Sequence, residues 1–258
     1  MGSPLVFVPV FGQLDLLRRA LRALDAHTPN DIAFLVVDDC GPDRVSEEWL
    51  GEVLQPSRVR QLVINDENLG FVRSANGAFA RRNGHDVVVV NSDVVVFAGW
   101  LGHLQGAAGP GVASVTALSN NGSIATVAEP TAYATVESLS ALAAQAIAAP
   151  PPPYDIPVGV GHCLYLSNEA LADVGGFDEA FSPGYGEEVD WSIRARRRGW
   201  CHVAAPGVIV WHDAGASFGS RRMLRRRHEL RLALRYPHEF VALRLRRWMR
   251  VDNGFMRG

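Results

Sequence analysis

Apolar positions along this chain switch repeatedly between the two periods that mark strands and helices. Leu5, Val6, Phe7, Val8 and Val10 read as a buried strand, with Pro9 near its end, where a missing amide proton is tolerated. Leu14, Leu17, Leu21 and Leu24 then recur at helical spacing up to His27-Thr28-Pro29. Residues 33–37 and 59–64 predict two more strands, separated by turn formers and a short helix capped by Ser46. Strand, helix and strand at this spacing imply right-handed crossovers and a parallel sheet. Phe71, Ala75 and Phe79 fall on one face of a helix over about residues 72–82.

The clearest pattern is Val87-Val88-Val89-Val90, four β-branched residues that predict a strand buried on both faces, as at the centre of a parallel sheet. The run stops at Asn91-Ser92-Asp93. Polar residues at the carboxyl end of such a strand lie where open α/β sheets bind ligands, although the same triplet also suits an Asx-type turn. Beyond it the spacing predicts a helix over 100–108, an extended segment over 112–117 and an alanine-rich helix over 131–149, stopped by Pro150 to Pro153. A strand over 158–166, a short helix capped by Ser167, a helix over 187–198 and an extended segment over 203–211 follow. The fold class expected is α/β, a mostly parallel sheet flanked by helices.

Composition adds bounds rather than direction. The chain has 258 residues, 48% of them hydrophobic and 20% charged, enough for one large domain. A formal net charge of -2 gives no electrostatic reason to expect nucleic acid as a partner. Cys40, Cys163 and Cys201 are widely spaced and odd in number, which suits neither a disulfide framework nor a metal-binding pattern, so a reducing cytoplasm is expected. No signal peptide or spanning segment is apparent near the start. Every basic residue other than histidine is arginine, and arginines crowd between Arg221 and Arg250 among Leu224, Leu230, Leu232 and Leu234. With Pro237 as a break, this predicts two basic amphipathic helices, either solvated or docking to an anionic membrane surface or a lipid-diphosphate acceptor.

Seven short motifs then come in a recognisable order: Val8-Pro9-Val10-Phe11, Val36-Val37-Asp38-Asp39, Asn68-Leu69-Gly70-Phe71, Asn91-Ser92-Asp93, Gly175-Gly176-Phe177-Asp178, Gly184-Tyr185-Gly186-Glu187-Glu188-Val189-Asp190, and His212 ahead of Gly215-Ala216-Ser217-Phe218-Gly219. Together they resemble the family-two inverting glycosyltransferases of GT-A fold, over roughly residues 5–220. The resemblance implies a nucleotide-sugar-binding half over about 1–97, an acceptor-binding half over about 98–220, and a helical extension over 221–258.

It also implies roles. Asn91, Ser92 and Asp93 stand where the family has its metal-binding aspartate triplet, with a neutral amide in place of the first carboxylate. Metal binding would then lean on Asp93 and on His212, the counterpart of the family's distal histidine; oxygen donors plus one imidazole suit Mn²⁺ or Mg²⁺. Read alone, His212 is more readily a hydrogen-bonded core histidine beside Trp211 than a ligand. Pro9, Val10 and Phe11 would lie along the base and ribose, Asp38 or Asp39 would accept from them, and Asn68, Gly70 and Arg73 would meet the nucleotide. Glu188 maps onto the general base, where most relatives have aspartate, and Glu187 would hold acceptor or sugar hydroxyls. The same two carboxylates also suit a first helical turn on electrostatic grounds alone. The donor implied is a nucleoside diphosphate sugar, uridine or thymidine preferred, and the acceptor a hydroxyl on a glycan, a lipid-linked carrier or a small molecule. A nucleotide-sugar-binding protein without turnover is the alternative that Asn91 and Glu188 leave open.

Overall fold

The computed structural model describes residues 2–122, 124–128, 130–213 and 222–252, with residues 245–252 described as backbone only. The Gly215-to-Gly219 motif, the expected boundary at Ser220, Arg221, and the side chains of Leu245, Trp248 and Met249 lie outside that description.

The amino-terminal half follows the sequence pattern closely. Strand β1 (Leu5–Val10), helix α1 (Leu14–His27), β2 (Phe34–Asp38), α2 (Glu47–Val53), β3 (Arg60–Ile64), α3 (Phe71–Ala80) and β4 (Val87–Val90) alternate along the chain. Ser46 caps α2 by accepting from the Trp49 N–H. The order β3-β2-β1-β4 is parallel throughout. All four valines of β4 are buried, because one sheet face packs on α1, α2 and the helix after β4 while the other packs on α3 and the carboxyl-terminal helices.

Past β4 come β5 (Val94–Val95), α4 (Trp100–Ala107), β6 (Val112–Ser119), α5 (Val136–Ala148), β7 (Tyr154–Asp155), β8 (Cys163–Leu166), α6 (Asn168–Val174), α7 (Glu187–Arg196) and β9 (Cys201–His212). Here the sequence pattern needs correction. β4 has a parallel neighbour on one side only; its other neighbour, β8, is antiparallel, so the valine run marks burial rather than strand direction. The strand expected over 158–166 starts only at Cys163, because the Gly159 and Val160 N–H groups bond to Ser192 Oγ and Thr116 Oγ1 instead of a neighbouring strand. The helix expected from 131 starts at Val136, capped by Thr135 through a reciprocal bond with Ser138, after a separate 3-10 turn at Pro130–Ala132.

Beyond the sheet, α8 (Arg222–Arg235) and α9 (Pro237–Asp252) break at Pro237 as expected. Among the described residues no helix is long and apolar enough to cross a membrane.

Candidate functional site

The site gathers along one edge of the sheet. β6 runs antiparallel to β8 and parallel to β9, so Ser119, Cys163 and His212 finish or begin their strands at the same edge as Val90. Asn91-Ser92-Asp93 leaves β4 there in a tight turn, with the Asn91 N–H on the His162 carbonyl and the Val94 N–H on the Asn91 carbonyl. β5 then pairs Val94 with His212, which brings Asp93 and His212 together across 119 residues of sequence.

His212 Nε2 stands 3.5 Å from Asp93 Oδ1, with the carboxylate almost wholly buried. The histidine tautomer is set by its surroundings. Nδ1 is 2.9 Å from the Asn121 carbonyl, which only accepts, so Nδ1 carries a proton and Nε2 is the ring atom that faces Asp93. The His212 N–H donates to Asn120 Oδ1 at 2.8 Å, so the loop after β6 fixes both backbone and ring. His162 stacks on His212 with centroids 5.4 Å apart. Burial, helped by the neighbouring His212, pushes the His162 pKa down to about 3, so it stays neutral. Asp93 Oδ1 is buried without a hydrogen-bond donor. A carboxylate oxygen and a ring nitrogen 3.5 Å apart are close enough that both would reach one divalent cation. Among the described residues no group of three or more His, Cys, Asp and Glu side chains is placed to hold a metal ion.

The second cluster lies at the start of α7. Gly186 takes a left-handed φ of 99° and turns the chain into the helix, placing Glu187 and Glu188 in its first turn. Both carboxyl groups have a buried Oε2 without a donor from elsewhere in the protein. Burial raises the Glu187 pKa well above its ordinary value, and the facing Glu188 charge raises it further. Burial also raises Glu188, but its own N–H, the Glu187 carboxyl, the Gly186 N–H and the Arg225 charge all pull the other way. Of the two, Glu187 is the one pushed further up, and Glu188 is the member that ionises first.

The other buried acids are spent. Asp25 holds Arg58 Nε at 2.7 Å and the Gln55 N–H at 2.9 Å. Asp190 accepts from Arg194 Nε at 2.7 Å, Tyr236 Oη at 2.8 Å and Arg235 at 3.0 Å, which makes it structural. Asp38 accepts from Arg44 Nε at 3.0 Å and the Val45 N–H at 2.8 Å, closing the loop after β2. Asp39 accepts from Asn65 Nδ2 at 2.8 Å and the Leu69 and Gly70 N–H groups at 2.9 and 2.8 Å. A base or ribose contact by either would have to share oxygens already in use.

Gly70 faces protein. It takes φ +80°, and a Cβ there would lie 2.6 Å from Pro183 Cα, while the Phe71 N–H donates to the Pro183 carbonyl at 2.8 Å. Asp39, Gly70, Pro183 and the turn into Glu187 are thus linked by successive contacts along the strand-end edge. Asn68 Oδ1 accepts from the Gly70 N–H at 3.0 Å, and exposed Arg73 pairs with Glu179 at 3.0 Å. Pro9, Val10 and Phe11 close β1 beside Asp38, with the Val10 carbonyl accepting from the Asp39 N–H at 2.9 Å. Ser92 is buried at the turn between Asn91 and Asp93.

Several neighbours carried no separable signal in the sequence. Asn120 and Asn121 read only as a loop, His162 as an isolated histidine, and Arg19, which pairs with Asp213 from α1, as a solvated helix position. Gly41 comes so close to the β1 end that a Cβ would sit 2.3 Å from the Gly12 nitrogen. Only the place of Asn120, Asn121, His162 and Gly41 next to strand ends could have flagged those four; Arg19, within α1, offered no such sign.

The sequence profile of glycosyltransferase-like family 2 matches residues 4–229. The chain belongs to that family. An uncharacterised protein of Sinorhizobium fredii, y4gI, is 23% identical across 97% of the chain and 28% of its own length. An N-acetylglucosaminyl-diphospho-decaprenol L-rhamnosyltransferase of Mycobacterium tuberculosis is 39% identical over 26% of the chain and 22% of its own length. The chain thus spans less than a third of either relative. Among solved structures, GalNAc-T7 with UDP, GalNAc and Mn²⁺ matches at a TM-score of 0.64 and 14% identity, over 81% of this chain and 43% of that one. The mannosyltransferase PcManGT from Pyrobaculum calidifontis, with GDP-Man and Mn²⁺, matches at 0.62 and 20% identity, over 88% and 61%. This family 2 chain has the GT-A fold.

Proposed function

We propose that the protein transfers a sugar from a nucleoside diphosphate sugar, with uridine or thymidine as the preferred base, to an acceptor hydroxyl on a glycan, a lipid-linked carrier or a small molecule, with inversion. The carrying observation is the division of the buried acids: Asp25, Asp38, Asp39 and Asp190 are saturated by protein donors, whereas Asp93, Glu187 and Glu188 each keep a buried oxygen without one. Buried polar atoms are rarely left so, and these three lie on the motifs that the family resemblance singles out.

On this reading Asp93 and His212 hold Mn²⁺ or Mg²⁺ against the diphosphate. The cation supplies charge neutralisation for the leaving nucleoside diphosphate. Ionised Glu188 accepts the proton of the acceptor hydroxyl as its oxygen bonds to the anomeric carbon; the bond from that carbon to the diphosphate oxygen breaks, and the nucleoside diphosphate leaves. Protonated Glu187 donates a hydrogen bond to a substrate oxygen. Residues of about 1–97, including Pro9, Val10, Phe11, Asn68 and Arg73, serve the nucleotide; those of about 98–220 serve the acceptor.

The test is release of nucleoside diphosphate from a panel of UDP-, dTDP- and GDP-sugars with Mn²⁺ or Mg²⁺. Turnover is expected from the parent and is lost in Asp93→Ala and in Glu188→Gln, with unchanged circular dichroism. Metal-independent turnover surviving in both variants would overturn the reading.

A further inference from the structure

The arginine-rich extension has two faces with different work. Its inner face is docked: His228 is buried and donates Nδ1–H to the Gly184 and Tyr185 carbonyls at 3.1 and 2.9 Å. Leu232 packs against Gly186, Arg231 bonds to the Ala180 carbonyl, and Arg235 pairs with Asp178 at 2.5 Å and Asp190 at 3.0 Å. Arg225 lies over the Tyr185 ring at 5.4 Å. These contacts seat α8 on the turn that presents Glu187 and Glu188.

Among the described residues the outer face has no such partners. Met223, Leu230 and Leu234 are 86%, 61% and 77% exposed, and their spacing of seven and four residues makes one stripe. Exposed Arg222 and Arg226 flank it on one side and exposed Arg227 on the other, while Arg231 beyond Arg227 turns its head inward to the Ala180 carbonyl. Arg227, Leu230, Arg231, Leu234 and Arg235 also line a shallow surface groove. The one acid on α8, Glu229, is paired with Arg244 at 3.1 Å and so subtracts little from the positive field. An apolar stripe flanked by cations matches the acyl boundary of a bilayer below anionic headgroups. A protein partner with an acidic groove is less well matched, because these apolar side chains stand proud of the surface with arginine on both sides.

We propose that the outer face of α8 docks on an anionic phospholipid surface, with Met223, Leu230 and Leu234 entering the headgroup boundary. Docking then holds the turn that carries Glu188 at headgroup level, where a lipid-linked hydroxyl would be presented. The docking itself does not depend on sugar transfer.

Flotation of the full chain with vesicles tests it directly. The parent is expected to float with vesicles of phosphatidylcholine and phosphatidylglycerol in equal parts, to remain below with phosphatidylcholine alone, and to be released by high salt. Leu230→Glu with Leu234→Glu, both exposed and so neutral to folding, is expected to cut bound protein at least about tenfold while nucleoside diphosphate binding stays unchanged. Failure of the parent to float with anionic vesicles would overturn the proposal, as would equal flotation of parent and variant. Self-association of the parent, abolished in the variant without any vesicle binding, would assign the face to a second copy instead.

Discussion

Glu187 and Glu188 share a turn and a pH dependence. Folding raises both pKa values above the ordinary glutamate value of 4.5. The folded state therefore holds more protons than the unfolded chain at pH values above 4.5 and below the raised values. Stability contributed by the protonated pair is complete in acid and falls as pH climbs through that window. Glu187→Gln is thus expected to raise the melting temperature at neutral pH, with the gain vanishing below the ordinary glutamate range. If Glu188 is the base proposed above, activity is expected to have the opposite sign, rising with pH as Glu188 ionises. Glu188→Gln is expected to lower kcat by about 10²–10⁴ with donor binding retained. At the proposed metal pair of Asp93 and His212, Asn120 holds the His212 backbone. Asn120→Ala is expected to weaken Mn²⁺ by about tenfold or more, read as the Mn²⁺ needed for nucleoside diphosphate binding.

Elements were legible where one face decides one pattern. The leucines of α1, the valines of β4 and the caps at Ser46 and Ser167 each carry a local cause, and each element forms where that cause puts it. Strand direction was not legible: β8 is antiparallel to β4 although both are wholly buried, because burial leaves the same apolar run whichever way a neighbour points. Asp93 and His212 were readable through their motifs, but Asn120, Asn121 and His162 were not, since a residue that orients another through a backbone group needs no particular spacing. The arginines of α8 looked alike in sequence, yet Arg231 and Arg235 turn inward while Arg226 and Arg227 stay out. The inward clasp gives a prediction of its own. Asp190→Ala removes an acceptor with three donors and is expected to cost about 2–3 kcal/mol in urea unfolding, the carboxyl-terminal helices losing amide protection first.

At the scale of the whole molecule, one strand-end edge collects the ends of β1, β2, β4, β6 and β9, and contact between Gly70 and Pro183 ties the turn into α7 to it. A ligand that bridges these elements should stabilise all of them together. UDP with Mn²⁺ is expected to raise the melting temperature more than UDP or Mn²⁺ alone, and the synergy is expected to vanish in His212→Ala. The contact between Gly70 and Pro183 then takes on a mechanical meaning. Backbone touches backbone there with no room for even one methyl group, so a nudge to residues 68–70 reaches the Glu188 turn undamped. Steric transmission of this kind ignores ionic strength: the influence of a bound nucleotide on the base should persist in concentrated salt, and only added bulk or slack at that one point would silence it.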